Sequence, residues 1–298
     1  MRYSHENIRG IDSPSSGSER IVEVSRRMLD KTLGHGVDFG VISRMLLDLN
    51  PENAEGFLDK ILAIDPKASD DEKSEVLFEI LGKHSRNTVL HCKDTGRIAE
   101  RIKNNPAFSQ IDLGALAKAI EHHDFGKLGM RASTLNEKHE KFNSHQDTEK
   151  EGHSYLGLLI NKVLNFNALS GRIALTHHLK YQTKNGRLEI VGYPKNDFFD
   201  YCQQNRLAPE LTAEDQLASF IDVYSALTDT RRPSDPYGMK RISHLSDAER
   251  AEYALEKMDN EIFKDEYYQK GAGAALFQAF KEAIWKADIQ TQSQRLAA

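Results

Sequence analysis

Residues 112–127 read DLGALAKAIEHHDFGK, and this stretch decides how the chain is read. Asp112 is a helix-capping residue type at the start of a run of good helix formers. Leu113, Leu116, Ile120 and His123 follow at spacings of 3, 4 and 3, which puts them on one face of a helix. That face is apolar until it presents His123, with Asp124 beside it, and the helix is expected to break at Gly126. An imidazole and a carboxylate at the end of a buried face are costly unless paired or bound to a cation. A His-Asp dipeptide alone carries little weight, because a solvated helix end accounts for it equally well.

Three further segments repeat the pattern. In EGHSYLGLLINKV, residues 151–163, His153, Leu156, Ile160 and Val163 take the same spacing, and Gly157 leaves room for a neighbouring helix. In LSGRIALTHH, residues 169–178, His177 falls on the apolar face with His178 adjacent. In TAEDQLASFIDVYSALT, residues 212–228, Thr212 and Asp215 form a capping-box pair, and Asp222 shares a stripe with Ala218, Ile221 and Ser225. A buried carboxylate flanked by Phe220, Ile221 and Val223 implies a cation partner. With His91, five segments each offer a ligand on a buried face, and mixed imidazole and carboxylate donors suit iron, manganese, zinc or nickel.

The remaining chain frames this cluster. Of 298 residues, 39% are hydrophobic and 29% charged, the balance of a soluble globular chain. The net charge of −5 argues against a nucleic-acid polymer as partner, so a phosphate ligand needs a local cluster of positive charge. Nine of the 12 histidines lie between positions 84 and 178. Cys92 and Cys202 suggest neither a disulfide framework nor a zinc ribbon. No run approaches the ~20 apolar residues needed to span a bilayer, and Met1–Gly10 is polar. The expectation is a cytoplasmic protein with no membrane partner.

Residues 1–18 read as an irregular arm, and 19–84 as a smaller helical N-terminal region, stopped at Asn50-Pro51 and near Pro66, with a helix over 70–81. The polar run Thr134–Gly152 reads as an exposed loop with at most a short helix, and His139 and His145 in it as solvated. Arg187–Val191 beside Lys184-Asn185-Gly186 is the one place for a short hairpin.

The order of these residues resembles the HD superfamily of phosphohydrolases, and more narrowly its HD-GYP branch, the cyclic di-GMP phosphodiesterases. The match runs from His91 through His123-Asp124-Phe125-Gly126-Lys127, His153 and Gly157, and His177-His178. It continues to Gly192-Tyr193-Pro194, and ends at Asp222, Ala226-Leu227-Thr228 and Arg231. It covers about residues 85–290, leaving 1–84 as a separate region with a regulatory or a packing role and 291–298 as a tail. The resemblance implies an all-α fold, a helical bundle of the HD type. It implies two divalent ions, iron or manganese first, with zinc, nickel or magnesium as the other options. One ion would be held by His91, His123, Asp124 and Asp222, the other by a shared Asp124 with His153, His177 and His178. Lys127 would contact the scissile phosphate or the attacking oxygen, Arg231 would hold a phosphate, and Tyr193 would shape the pocket. Such ions would acidify a water between them and supply hydroxide for attack at phosphorus.

The chain departs from the branch in places. Asn87 stands where members with three metals carry Glu, which favours two ions. Ser225 replaces a second Asp, the link from Leu179 to Val191 is long, and Lys240 stands displaced as the basic residue expected after Arg231. The expected function is hydrolysis of a cyclic dinucleotide. The alternatives are an HD phosphohydrolase for another nucleotide, or a weakly catalytic signalling protein that binds nucleotide. A second copy or a signalling protein are the further partners expected.

Overall fold

A computed structural model describes residues 53–136, 143–231 and 244–290. The helices expected within 19–50, the tail from 291, His139 and Lys240 lie outside the described residues. Among the described residues the fold is all-α apart from one hairpin, as the sequence predicts.

Helix α1 spans Ala54–Ala63, α2 Asp70–His84, α3 Arg86–Ile102 and α4 Leu113–Glu121. A 3₁₀ turn at Phe125–Gly129 leads to the short α5, Ala132–Asn136. Helices α6 (Ser144–Val163) and α7 (Ala168–Thr176) precede the hairpin, β1 Lys180–Lys184 and β2 Arg187–Val191. Then come α8 (Lys195–Gln204), α9 (Ala213–Thr228), α10 (Asp247–Lys257), α11 (Glu266–Gln269) and α12 (Ala274–Ile284).

Local signals set the helix starts. Ser69 and Glu72 close a capping box on α2, and Thr212 and Asp215 close one on α9. Asp112 Oδ1 accepts from the Ala115 N–H at 2.9 Å and caps α4. In the hairpin, Lys180 pairs with Val191 and Lys184 with Arg187. Asn185 (φ 52°) and Gly186 (φ 72°) form its two-residue loop, for which Asn-Gly is the favoured pair.

Packing places the site between two apolar bodies. One joins Ile98, Ile102, Leu116 and Ile120 to Phe220, Ile221 and Leu227 of α9, with Phe277 and Phe280 of α12 behind them. The other joins Phe57, Ile61, Leu77 and Leu81 to Phe125, Leu128, Leu156 and Ile160. The residue-84 boundary drawn from the sequence therefore lies beside a core that α1 and α2 share with α6.

Two expectations are corrected. The polar run expected as a loop is, from Ser144 onward, the first turns of the 20-residue α6. Its buried contact is polar: Glu149 is fully buried and accepts from Arg131 Nε at 2.5 Å and from the Arg131 N–H at 3.2 Å. A face held by an ion pair leaves no apolar periodicity to read. The second correction concerns α4, which ends at Glu121, not Gly126. Beyond it the backbone tightens to bonds three residues apart, from His123 N to Ile120 O (3.3 Å) and from Lys127 N to Asp124 O (2.9 Å). His123 and Asp124 thus sit in a tight turn at the helix end.

Candidate metal centre

The turn after α4 delivers His123 and Asp124, both fully buried, into the space between α3, α6, α7 and α9. From α3 comes His91, from α6 His153, from the end of α7 His177 and His178, and from α9 Asp222. All seven residues expected from the sequence converge. His153, His177 and His178 form one group whose donor atoms lie within 4.8 Å of one another; His91, His123 and Asp124 form a second, and His123, His177 and Asp222 a third.

Orientation follows from the outer ring nitrogens. His123 Nδ1 donates to Ile120 O at 2.5 Å, His153 Nδ1 to Lys150 O at 2.5 Å, and His177 Nδ1 to Ala174 O at 2.9 Å. A carbonyl only accepts, so in each ring Nδ1 carries a proton and Nε2 is turned inward. His91 Nδ1 meets Ser225 Oγ at 3.1 Å, the same arrangement with a hydroxyl as the outer partner. Ser225 thereby orients a ring where the family resemblance led to a second carboxylate.

The inward nitrogens crowd one another. His153 Nε2 lies 3.4 Å from His177 Nε2 and 3.3 Å from His178 Nε2. Lone pairs at that separation repel unless a cation or proton stands between them. Metal–nitrogen bonds of ~2.1 Å in a tetrahedron place ligand atoms ~3.4 Å apart, the observed spacing. The buried His123 Nε2 and Asp124 Oδ1 have no hydrogen-bond partner. Orphaned buried atoms of this kind call for an ion. The residues present fit divalent metals.

Asp124 faces two ways. Its Oδ2 lies 3.3 Å from His123 Nε2 and 3.9 Å from His91 Nε2, while its Oδ1 lies 3.5 Å from His153 Nε2 and 3.8 Å from His177 Nε2. Lys127 Nζ donates to Oδ2 at 2.5 Å. On the far side, Asp222 Oδ1 is 2.9 Å from His91 Nε2 and 3.5 Å from His123 Nε2.

Burial opposes charge on both carboxyls, but His123 and Lys127 hold Asp124 well below the usual carboxylate range, and His123 and His91 do the same for Asp222. Burial also opposes the His123 imidazolium; the flanking Asp124 and Asp222 outweigh it and carry His123 up to about 9. Its extra proton occupies the position of positive charge that a metal would fill. His177 is pushed down to about 3 by burial and by the His123 charge, and His178 falls for burial and for its neighbours His177 and His153. The centre is thus divided into a carboxylate-rich half and a neutral imidazole half.

Of the other expected residues, Tyr193 adjoins the cluster and Arg231 follows the end of α9. Tyr193 packs its ring 4.5 Å from that of His178, and Lys150 Nζ sits 5.3 Å from the Tyr193 ring centroid. Gly192 has φ 111°, and a Cβ there would lie 2.2 Å from His178 O, so only glycine lets this loop close on the double histidine. Arg231 Nη2 donates to Asp94 Oδ2 at 2.5 Å, and its Nε to Asp229 Oδ1 at 2.7 Å. His122, which no expectation covered, is a core histidine: Nε2 meets Ser74 Oγ at 2.8 Å and Nδ1 meets Ser170 Oγ at 3.2 Å. Burial lowers it to about 4, and it ties α2 to α7 as a neutral ring.

Residues 88–227 match the family model described as HD domain. That stretch contains every residue of the cluster, and the match supports the HD superfamily of metal-dependent phosphohydrolases. No curated protein and no solved structure matches the chain. No helix among the described residues is long and apolar enough to cross a membrane.

Proposed function

We propose, with an HD domain over residues 88–227 as the premise, that this chain is a two-metal phosphodiesterase of the HD-GYP kind acting on a cyclic dinucleotide, cyclic di-GMP first. The observation that carries the reading is Asp124, whose two oxygens address two separate sets of imidazoles. His91, His123, Asp124 and Asp222 would hold one ion; Asp124 with His153, His177 and His178 would hold the other. Bound there, iron or manganese would supply Lewis acidity, acidifying the attacking water and neutralising phosphoryl charge.

The chain's own groups do the rest. Lys127, at Asp124 Oδ2, brings a positive charge to the place where negative charge builds on the phosphoryl oxygens. Asp124 and Asp222 fix the inner imidazoles against turning, and the carbonyls of Ile120, Lys150 and Ala174 fix them from outside. Tyr193 closes the His153–His178 side and offers an aromatic face on which a base can stack. The pairing of Gly192-Tyr193-Pro194 with the double histidine favours a nucleotide diester over a smaller phosphate ester.

The test is hydrolysis of cyclic dinucleotides by the full chain with Mn²⁺ and with Fe²⁺, alongside metal analysis. The expected result is about two bound ions per chain and turnover that His123→Ala or Asp124→Ala abolishes, together with most of the metal. Full activity in a metal-free preparation refutes the reading, and tight nucleotide binding without turnover replaces it with a signalling role.

A further inference from the structure

Beside the metal centre, the facing sides of α3 and α9 enclose a cavity lined by neither carboxylate nor imidazole of the cluster. On α3, His91, Asp94, Arg97, Ile98 and Arg101 follow at three- and four-residue spacing and share one face. On α9, Asp222 and Ser225 begin a matching stripe that runs on to Thr228 and Asp229. A cavity of about 390 Å³ lies between the stripes. Its wall begins at Ser225, whose hydroxyl bonds His91, so cavity and centre adjoin.

The lining is unusual for an acidic chain. Three guanidiniums, Arg97, Arg101 and Arg231, stand against two carboxylates, Asp94 and Asp229. Asp94 Oδ1 accepts from Arg97 Nη1 at 2.8 Å and its Oδ2 from Arg231 Nη2 at 2.5 Å. One carboxylate thus draws two guanidiniums from different segments together. A guanidinium has five N–H donors, so these bonds orient Arg97 and Arg231 without using all they have. At 1.5 Å rise per residue, Arg97 and Arg101 stand about 9 and 15 Å along the axis from His91. Both therefore stand well away from the cluster along α3. Converging guanidiniums in a concave site are the side chains that recognise phosphate oxygens.

We infer that this cavity binds a second phosphate of the substrate, away from the scissile one, through Arg97 and Arg101 together with Arg231. The inference rests on the phosphodiesterase reading above, and deepens it: the enzyme selects molecules that carry two phosphates. Arg97 and Arg101 are then specificity residues, acting on substrate affinity more than on the chemical step.

The test compares kcat/KM for cyclic di-GMP, with two phosphates, and for bis(p-nitrophenyl) phosphate, with one, using the metal-loaded full chain and Arg97→Gln/Arg101→Gln. The Arg97 side chain is 69% exposed, so the fold tolerates its replacement. The ratio of the two values is expected to fall about tenfold, the equivalent of ~1.4 kcal/mol, chiefly through KM for the dinucleotide. Arg97→Lys/Arg101→Lys should recover part of it, keeping charge but losing the two-pronged geometry. An unaltered ratio overturns the inference, as does wild-type protein that hydrolyses the small diester and ignores cyclic di-GMP. Hydrolysis of neither compound overturns the phosphodiesterase reading itself.

Discussion

Replacing Gly126 by alanine should damage the metal centre without touching a ligand. An alanine Cβ would lie 1.8 Å from His153 O, 2.5 Å from Gly157 N and 2.8 Å from His153 C. All three are backbone atoms, so no side chain can rotate away. Restoring an ordinary contact near 3.4 Å requires the turn and α6 to separate by roughly 1.6 Å (3.4 less 1.8), since interiors are close-packed. Overpacking of this kind costs about 1–3 kcal/mol or somewhat more. At ~2–4 °C per kcal/mol for a chain of this class, 3 kcal/mol lowers Tm by about 6–12 °C. The effect on metal should be larger. Asp124 precedes Gly126 by two residues and lies across from His153, while ligand distances tolerate only ~0.2 Å of error. Thermal unfolding and metal content should therefore both be measured, with Gly157→Ala as the comparison. There a Cβ meets the Ala174 Cβ at 3.1 Å, which a shift of a few tenths of an ångström relieves. If Gly126→Ala keeps wild-type Tm and metal, or loses no more than Gly157→Ala, the close approach of turn and helix does not hold the centre.

Other outcomes test separate parts of the argument. Ser225→Ala removes the outer partner of His91 and should weaken metal binding by about 10–100-fold at the affected site, read by chelator competition, with little change in Tm. Asp215→Ala should cost about 3–5 kcal/mol in denaturant unfolding, because Arg172 loses a two-pronged partner (Nε 2.9 Å, Nη2 2.6 Å), Thr176 loses an acceptor and α9 loses its capping box. Acid should loosen the hairpin. Burial works against ionisation of Asp265, but N–H donation from Tyr267 and Thr183 outweighs it and lowers its pKa. A depressed folded-state pKa contributes stability above the unfolded value of ~3.9 that is lost as pH falls through the folded one. Amide exchange at Thr183 should accelerate below about pH 4 and be insensitive to pH in this respect above it; Asp265→Asn should remove the pH step.

What was legible in the sequence, and what was not, divides along a physical line. Apolar periodicity, capping pairs and the Asn-Gly turn are local, and they set α2, the start of α4, α9 and the hairpin close to their observed bounds. The candidate cluster was legible because burying His123, Asp124, His153, His177 and Asp222 on apolar faces is costly without a cation, and the faces are readable from spacing. Three features were decided only by tertiary structure. The start of α6 rests on Glu149 meeting Arg131 across 18 residues, and an ion pair leaves no hydrophobic signature. The two-sided role of Asp124 depends on which oxygen faces which helix, and no spacing encodes that. The convergence of Arg97 and Arg231 on Asp94 joins residues 137 positions apart in Asp94 and Arg231. Sequence periodicity assigns a side chain to a face; only packing determines which faces meet, because the free energy that selects the meeting comes from burying both at once.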